Sequence, residues 1–153
     1  MNVKPALVLL AVIAAASPAA AQRTSNRAIN DLNILVGANL GEATTLRAEL
    51  PALSKNRRAV RVWKHMIKDH KKGAEMIARA DRAMGGRPNM TPPAAGPAKG
   101  SAKDIIKQTL QAHRDTLTTV KNMQSHARGR ERRVLAAVRG VVEHHIMMIR
   151  ALM

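Results

Sequence analysis

Apolar positions recur along most of this chain at steps of three and four, the period of a helix that buries one face. In the first such stretch Ile29, Leu32, Leu35, Val36, Ala43 and Leu46 share a side, which predicts a helix over 25–50. Pro51 should end it, because proline has no amide hydrogen and its ring clashes with the preceding turn. Ala59 or Val60 with Trp63, Met66, Ile67, Ala74 and Ile77 predict a second helix over 55–84, with Ser54 as its N-cap. Ile105, Ile106, Leu110, Leu117 and Val120 predict a third over 102–127, opened by Ser101 and Asp104 in a capping-box pattern. Val134, Val138, Val141, Val142, Ile149 and Leu152 predict a fourth over 131–153, after a tight turn at Gly129. Nowhere do apolar and polar residues alternate as in a strand.

The interval 85–101, "GGRPNMTPPAAGPAKGS", cannot hold a regular helix. Neither flanking half could bury a core alone, so the interval is a connection within one domain. Two short connections and one long one imply an all-α fold, a four-helix bundle with a long Pro/Gly-rich crossing between its second and third helices. Gly37 and Gly41 sit four apart on the first helix, on one face where another helix could come close.

The start of the chain reads differently. Lys4 precedes an apolar run of about a dozen residues, too short for a bilayer core of ~30 Å. Small residues follow, with Ala19 and Ala21 in an A-x-A arrangement. This is the pattern of a secretory signal peptide over 1–21, removed near Ala21–Gln22. The remaining 22–153 forms one domain with no further apolar segment of membrane-spanning length. The expected location is the periplasm or another exported compartment. The chain has no cysteine, so packing has to supply its stability.

Four polar residues interrupt the apolar stripes, one on each helix. On helix 1 the stripe 32, 35, 39, 42/43, 46 takes in Glu42; on helix 2 the stripe 63, 66/67, 70, 74, 77 takes in His70. On helix 3 the stripe includes His113, and on helix 4 it includes His145, while His144 is turned by ~100° toward the flank. His65 and His126 leave their stripes and are expected at the surface. His113 and His145 each lie 16 residues from Gly129, and His70 and Glu42 are also near mid-helix, so all four belong at a similar height. Imidazole and carboxylate are good ligands for zinc, iron, copper or nickel, and bundle cores hold such sites between facing helices. The other arrangement is a hydrogen-bonded polar cluster that selects helix register without a metal. Met66 and Met148, near His70 and His145, could add thioethers for copper or simply fill the core.

The stretches "NLGEATTL", "WKHMIKDHKKGAEMI", "DIIKQTLQAHRDTLTTV" and "EHHIMMIRAL" resemble an exported bacterial family known as domain of unknown function 4142. That resemblance implies a ferritin-like four-helix fold. It implies functional positions at Glu42, Asp69 with His70, His113 and His145. The family often has a proline shortly before the last histidine and aromatic positions in helices 2 and 3; here Gly140 and aliphatic residues stand in their place. Di-iron bundles use carboxylates from all four helices and two Glu-x-x-His pairs; this chain has one inward carboxylate and no such pair, which argues against ferroxidase chemistry.

The net charge is +16, or +15 once Lys4 has left with the signal. Arg57, Arg61, Lys64, Lys68, Lys71, Lys72, Arg79 and Arg82 line the outer side of helix 2. Such a face suits anionic envelope lipid or lipopolysaccharide. Nucleic acid is a poor fit: Trp63 is the only aromatic ring of the Phe, Trp and Tyr class, and single-strand binders stack bases on several. Ordered nucleophile–base pairs and phosphate loops are absent from the sequence, so an enzyme is not expected. The leading expectation is an exported, non-enzymatic bundle with a buried Glu/His cluster and a binding or stress role at the envelope. Beside it stand a mononuclear metal binder using Glu42, His70, His113 and His145, and a basic binder of anionic envelope components.

Overall fold

A computed structural model describes residues 18–153; the apolar run expected to be the core of a signal peptide lies outside them. Four helices follow in order: α1 (Pro18–Glu49), α2 (Arg57–Arg82), α3 (Ala102–His126) and α4 (Gly129–Arg150). They form an all-α four-helix bundle, with no strand among the described residues. No helix of the described chain is long and apolar enough to cross a membrane. The expected helices are all present, with shifted ends. α1 begins at Pro18, seven residues before the expected Ser25, and α2 is capped by the Asn56 side chain, which accepts from the Ala59 amide at 3.0 Å, in place of Ser54. The third start is as expected: Ser101 and Asp104 close a reciprocal capping box.

Pairwise contacts fix the directions of the helices. Glu49 accepts from Trp63 Nε1 at 2.7 Å, while Asn39 meets His70 at 3.0 Å, so α1 and α2 run antiparallel. Glu42 lies beside His113 and Asp31 beside His126, so α1 and α3 are also antiparallel. It follows that α2 and α3 run parallel. Residues 83–101 must therefore return along the whole bundle, a distance of roughly 37 Å at 1.5 Å per residue of α3. Pro93 marks the route: its ring lies 3.3 Å from where a Cβ on Gly41 would stand. Gly41 thus makes room for the crossing segment, and Gly37 faces open space, so this pair does not receive a helix as expected.

Leu32, Leu46, Trp63, Met66, Leu135 and Ile149 are fully buried and set the core. Fully burying such side chains contributes roughly 1.5–3 kcal/mol each, the main force closing the bundle. Val141, expected inward, is 39% exposed, and the buried stripe of α4 runs through Val138, Val142, Ile146 and Ile149. Glu131, the expected start of the fourth helix, lies in the first turn of α4. It is buried, and burial together with nearby Asp31 raises its carboxyl above the ordinary range.

Candidate metal centre

Three of the four interrupting residues meet in the core. His70, His113 and His145 are all buried, and each offers a ring nitrogen within 4.8 Å of the other two. A triangle with edges no longer than that has a centre at most about 2.8 Å from each corner, against 2.0–2.1 Å for a zinc–imidazole bond. The ring centroids stand 4.9, 5.4 and 5.5 Å apart, with interplanar angles of 62°, 61° and 63°. Three imidazoles on one tetrahedral ion would set their centroids about 5 Å apart. The rings thus form a near-threefold propeller with a metal-sized focus.

What surrounds the rings settles which nitrogen carries hydrogen. Asn39 Nδ2 donates to the Leu35 carbonyl at 2.8 Å, which turns its Oδ1 toward His70; Nδ1–H of His70 donates to that oxygen at 3.0 Å. His113 Nδ1–H donates to the Thr109 carbonyl at 2.9 Å. His145 Nε2–H donates to Asp69 Oδ2 at 3.2 Å. All three partners are acceptors, so each ring keeps a bare lone pair on its other nitrogen. Those nitrogens, His70 Nε2, His113 Nε2 and His145 Nδ1, are buried without a hydrogen-bond partner among the described residues. Leaving one such group unsatisfied costs about 1–3 kcal/mol. A carboxylate, a carbonyl or an amide behind each ligating imidazole is also the arrangement that orients histidines on a metal and raises their basicity.

The electrostatics agree with neutral rings. Burial pushes the imidazolium form of His70 far down, helped by His145 and His113. Burial likewise lowers His113. It brings His145 to about 4 despite the opposing pull of Asp69. Neutral imidazole is the state a metal requires.

Glu42 is placed differently from the three rings. Its Oε1 lies 3.7 Å from His113 Nδ1, the nitrogen already engaged by Thr109, and its side chain is 26% exposed. Burial still raises its carboxyl above the ordinary range. It lines a cavity of about 320 Å³ walled by all four helices, with Asp69, His70, Met76, His113 and Val142 among the lining residues. The geometry therefore joins three of the four expected ligands and sets the carboxylate behind one of them. Asp69 backs His145 across the bundle as well as neighbouring His70 in sequence. Asn39 occupies position 39 of the helix 1 stripe, and its amide shows no partner until the fold sets His70 against it. Thr109 acts through its backbone, which no side-chain pattern can reveal. Met66 is buried and Met148 half-buried, and both pack in the hydrophobic core.

Fold and centre together define a class: a four-helix bundle with a buried three-histidine cluster able to hold a metal ion. No family model, curated protein or solved structure matches the chain.

Proposed function

We propose that this protein binds a single transition-metal ion through His70, His113 and His145. The observation that carries the reading is the set of three buried lone pairs, fixed in tautomer by three separate acceptors, on rings that each offer a nitrogen within 4.8 Å of the other two. A polar cluster that only specified register would satisfy its own nitrogens; here each ring has one nitrogen satisfied and one left over. A cation answers all three at once. All-imidazole ligation suits zinc, copper, iron or nickel, and three protein ligands leave a fourth position for water or another small donor. Glu42 and Asp69 support the rings from outside and offset the charge of the ion.

The same proposal extends to place and kinship. The leader-like residues 1–21 support export, and the single long crossover supports a ferritin-like bundle of the kind the family resemblance implies. The role is one of binding at the envelope, with a carboxylate content too low for di-iron chemistry.

Elemental analysis of untagged protein, purified without chelator and then reconstituted with Zn(II) or Co(II), tests the reading. One tightly bound equivalent per chain, surviving desalting, is expected, lost in His113→Ala and in His70→Gln while helical circular dichroism persists. Wild-type protein that retains no stoichiometric metal under these conditions refutes it.

A further inference from the structure

The two adjacent histidines on α4 face different surroundings. His145 is buried in the centre, whereas His144 is exposed and its ring stands 6.1 Å from that of exposed His65 on α2. His65 Nε2 lies 3.1 Å from Asp69 Oδ2. That same oxygen is 3.2 Å from His145 Nε2. One carboxylate oxygen therefore touches an imidazole of the surface and an imidazole of the core. The line His144, His65, Asp69 leads from solvent to the back of His145, and Asp69 also lines the cavity onto which His70 and His113 face.

We propose that His65, Asp69 and His144 form a second, outer site that takes a divalent transition ion from solvent and passes it inward to the buried centre. The inference rests on the metal reading above. Two imidazoles and a carboxylate are a donor set for the same borderline ions as the inner cluster. An ion holding both outer rings would set their centroids about 5 Å apart, close to the 6.1 Å observed. Both rings are at the surface, so a rotamer change closes the difference.

The need for such a site comes from charge and burial together. A chain with net charge +16 repels cations, and the exposed Lys64 and Lys68 flank this very region. The three inner nitrogens have no exposed surface of their own, and the cavity shared by Asp69, His70 and His113 is the approach to their rings. A cation approaching at random meets like charge, which slows its arrival. Two imidazoles beside a half-buried carboxylate give it a local foothold. Asp69 then holds the outer ion at the mouth of the cavity it lines with His70 and His113, so small rotations of one side chain carry the ion toward the inner rings.

Stopped-flow mixing with Co(II), followed by the d–d absorption of the ion in the inner site, tests the proposal. His65→Ala/His144→Ala leaves every inner ligand in place and leaves net charge unchanged. The expected result is the same final spectrum and an equilibrium affinity within about twofold, with loading slowed at least about tenfold. His144→Ala alone, which does not touch Asp69, is expected to slow loading in the same sense. Wild-type protein should also take up a second, weaker Co(II) equivalent that the double variant loses. Unchanged loading rates overturn the outer site and leave the inner one standing. Slower loading matched by an equal loss of affinity overturns it too, because His65 would then only be propping Asp69. Absence of any d–d band in wild-type protein overturns the inner centre and this inference with it.

Discussion

Acid should unfold the metal-free protein through its buried histidines, and the size of the effect follows from the structure. His145 is fully buried, and burial lowers its pKa from 6.5 to about 4. In the unfolded chain the same ring takes a proton near pH 6.5. Between those values the unfolded state holds more protons than the folded state, so falling pH favours unfolding. The contribution of His145 is complete above pH 6.5 and declines as pH falls toward 4. Integrating the linkage relation gives a loss of roughly 2 kcal/mol by pH 5 and about 3 kcal/mol once pH passes below 4. His70 and His113, also lowered by burial, add in the same direction. Domains of this kind have only about 5–15 kcal/mol in total, so the loss is large. The assay is urea unfolding of chelator-treated protein at pH 8, 6.5 and 5, with fluorescence of the buried Trp63 as the probe. With a slope of about 1–3 kcal/mol per molar urea, the His145 share alone lowers the midpoint by roughly 1 M at pH 5. A midpoint that does not fall between pH 8 and 5, or a His145 ring that titrates above pH 6 by NMR, would refute the reasoning.

Other perturbations separate support of the centre from support of the fold. Glu42→Gln should weaken Zn(II) binding about tenfold by removing the charge behind His113. The same change should stabilise the metal-free protein near neutral pH: burial raises the Glu42 carboxyl, so its contribution is present below about pH 4.5 and lost as pH rises through the raised value. Competition titration and urea unfolding read the two effects, and matched losses in both would contradict the assignment. Asp69→Asn should cost about 10–100-fold in affinity, since His145 loses its charged acceptor; unchanged binding would show that this contact does not tune the ion. Gly73→Ala should keep or raise helix stability, because alanine is favoured over glycine by about 1 kcal/mol in a helix. Its methyl would nonetheless stand 2.8 Å from Asn39 Oδ1, the atom that holds His70, so metal affinity should drop while the melting temperature does not. The basic face of α2 is tested with anionic vesicles: if it holds them, binding weakens steeply with salt and falls further in Lys64→Glu/Lys68→Glu; no binding, or salt-independent binding, argues against that face.

Much of this architecture is written locally. Apolar steps of three and four mark all four helices because a helix must place its greasy stripe on one side, and a break such as 85–101 contains residues no helix tolerates. The same arithmetic brought His70, His113 and His145 inward, since a stripe position is inward whatever residue fills it. It also placed Glu42 inward, but that position lies at the edge of its stripe, and the side chain ends up part-exposed beside a cavity. Helix ends were less legible: Asn56 and Ser54 are both fit to cap α2, and only the path of the turn after Pro51 decides between them.

The periodicity of this chain therefore determined how many helices form and which side of each turns inward, because both depend on neighbours within a turn or two. Only tertiary structure decided the direction of α3 relative to α2, the route of the crossing past Gly41, and the identity of the groups behind each imidazole. Those depend on contacts between residues distant along the chain, such as Asp69 with His145. One of them is a backbone carbonyl, which no side-chain pattern announces. A lone histidine in a sequence says nothing about which nitrogen bears the proton. Its partner across the bundle does, and with it the direction in which three lone pairs point.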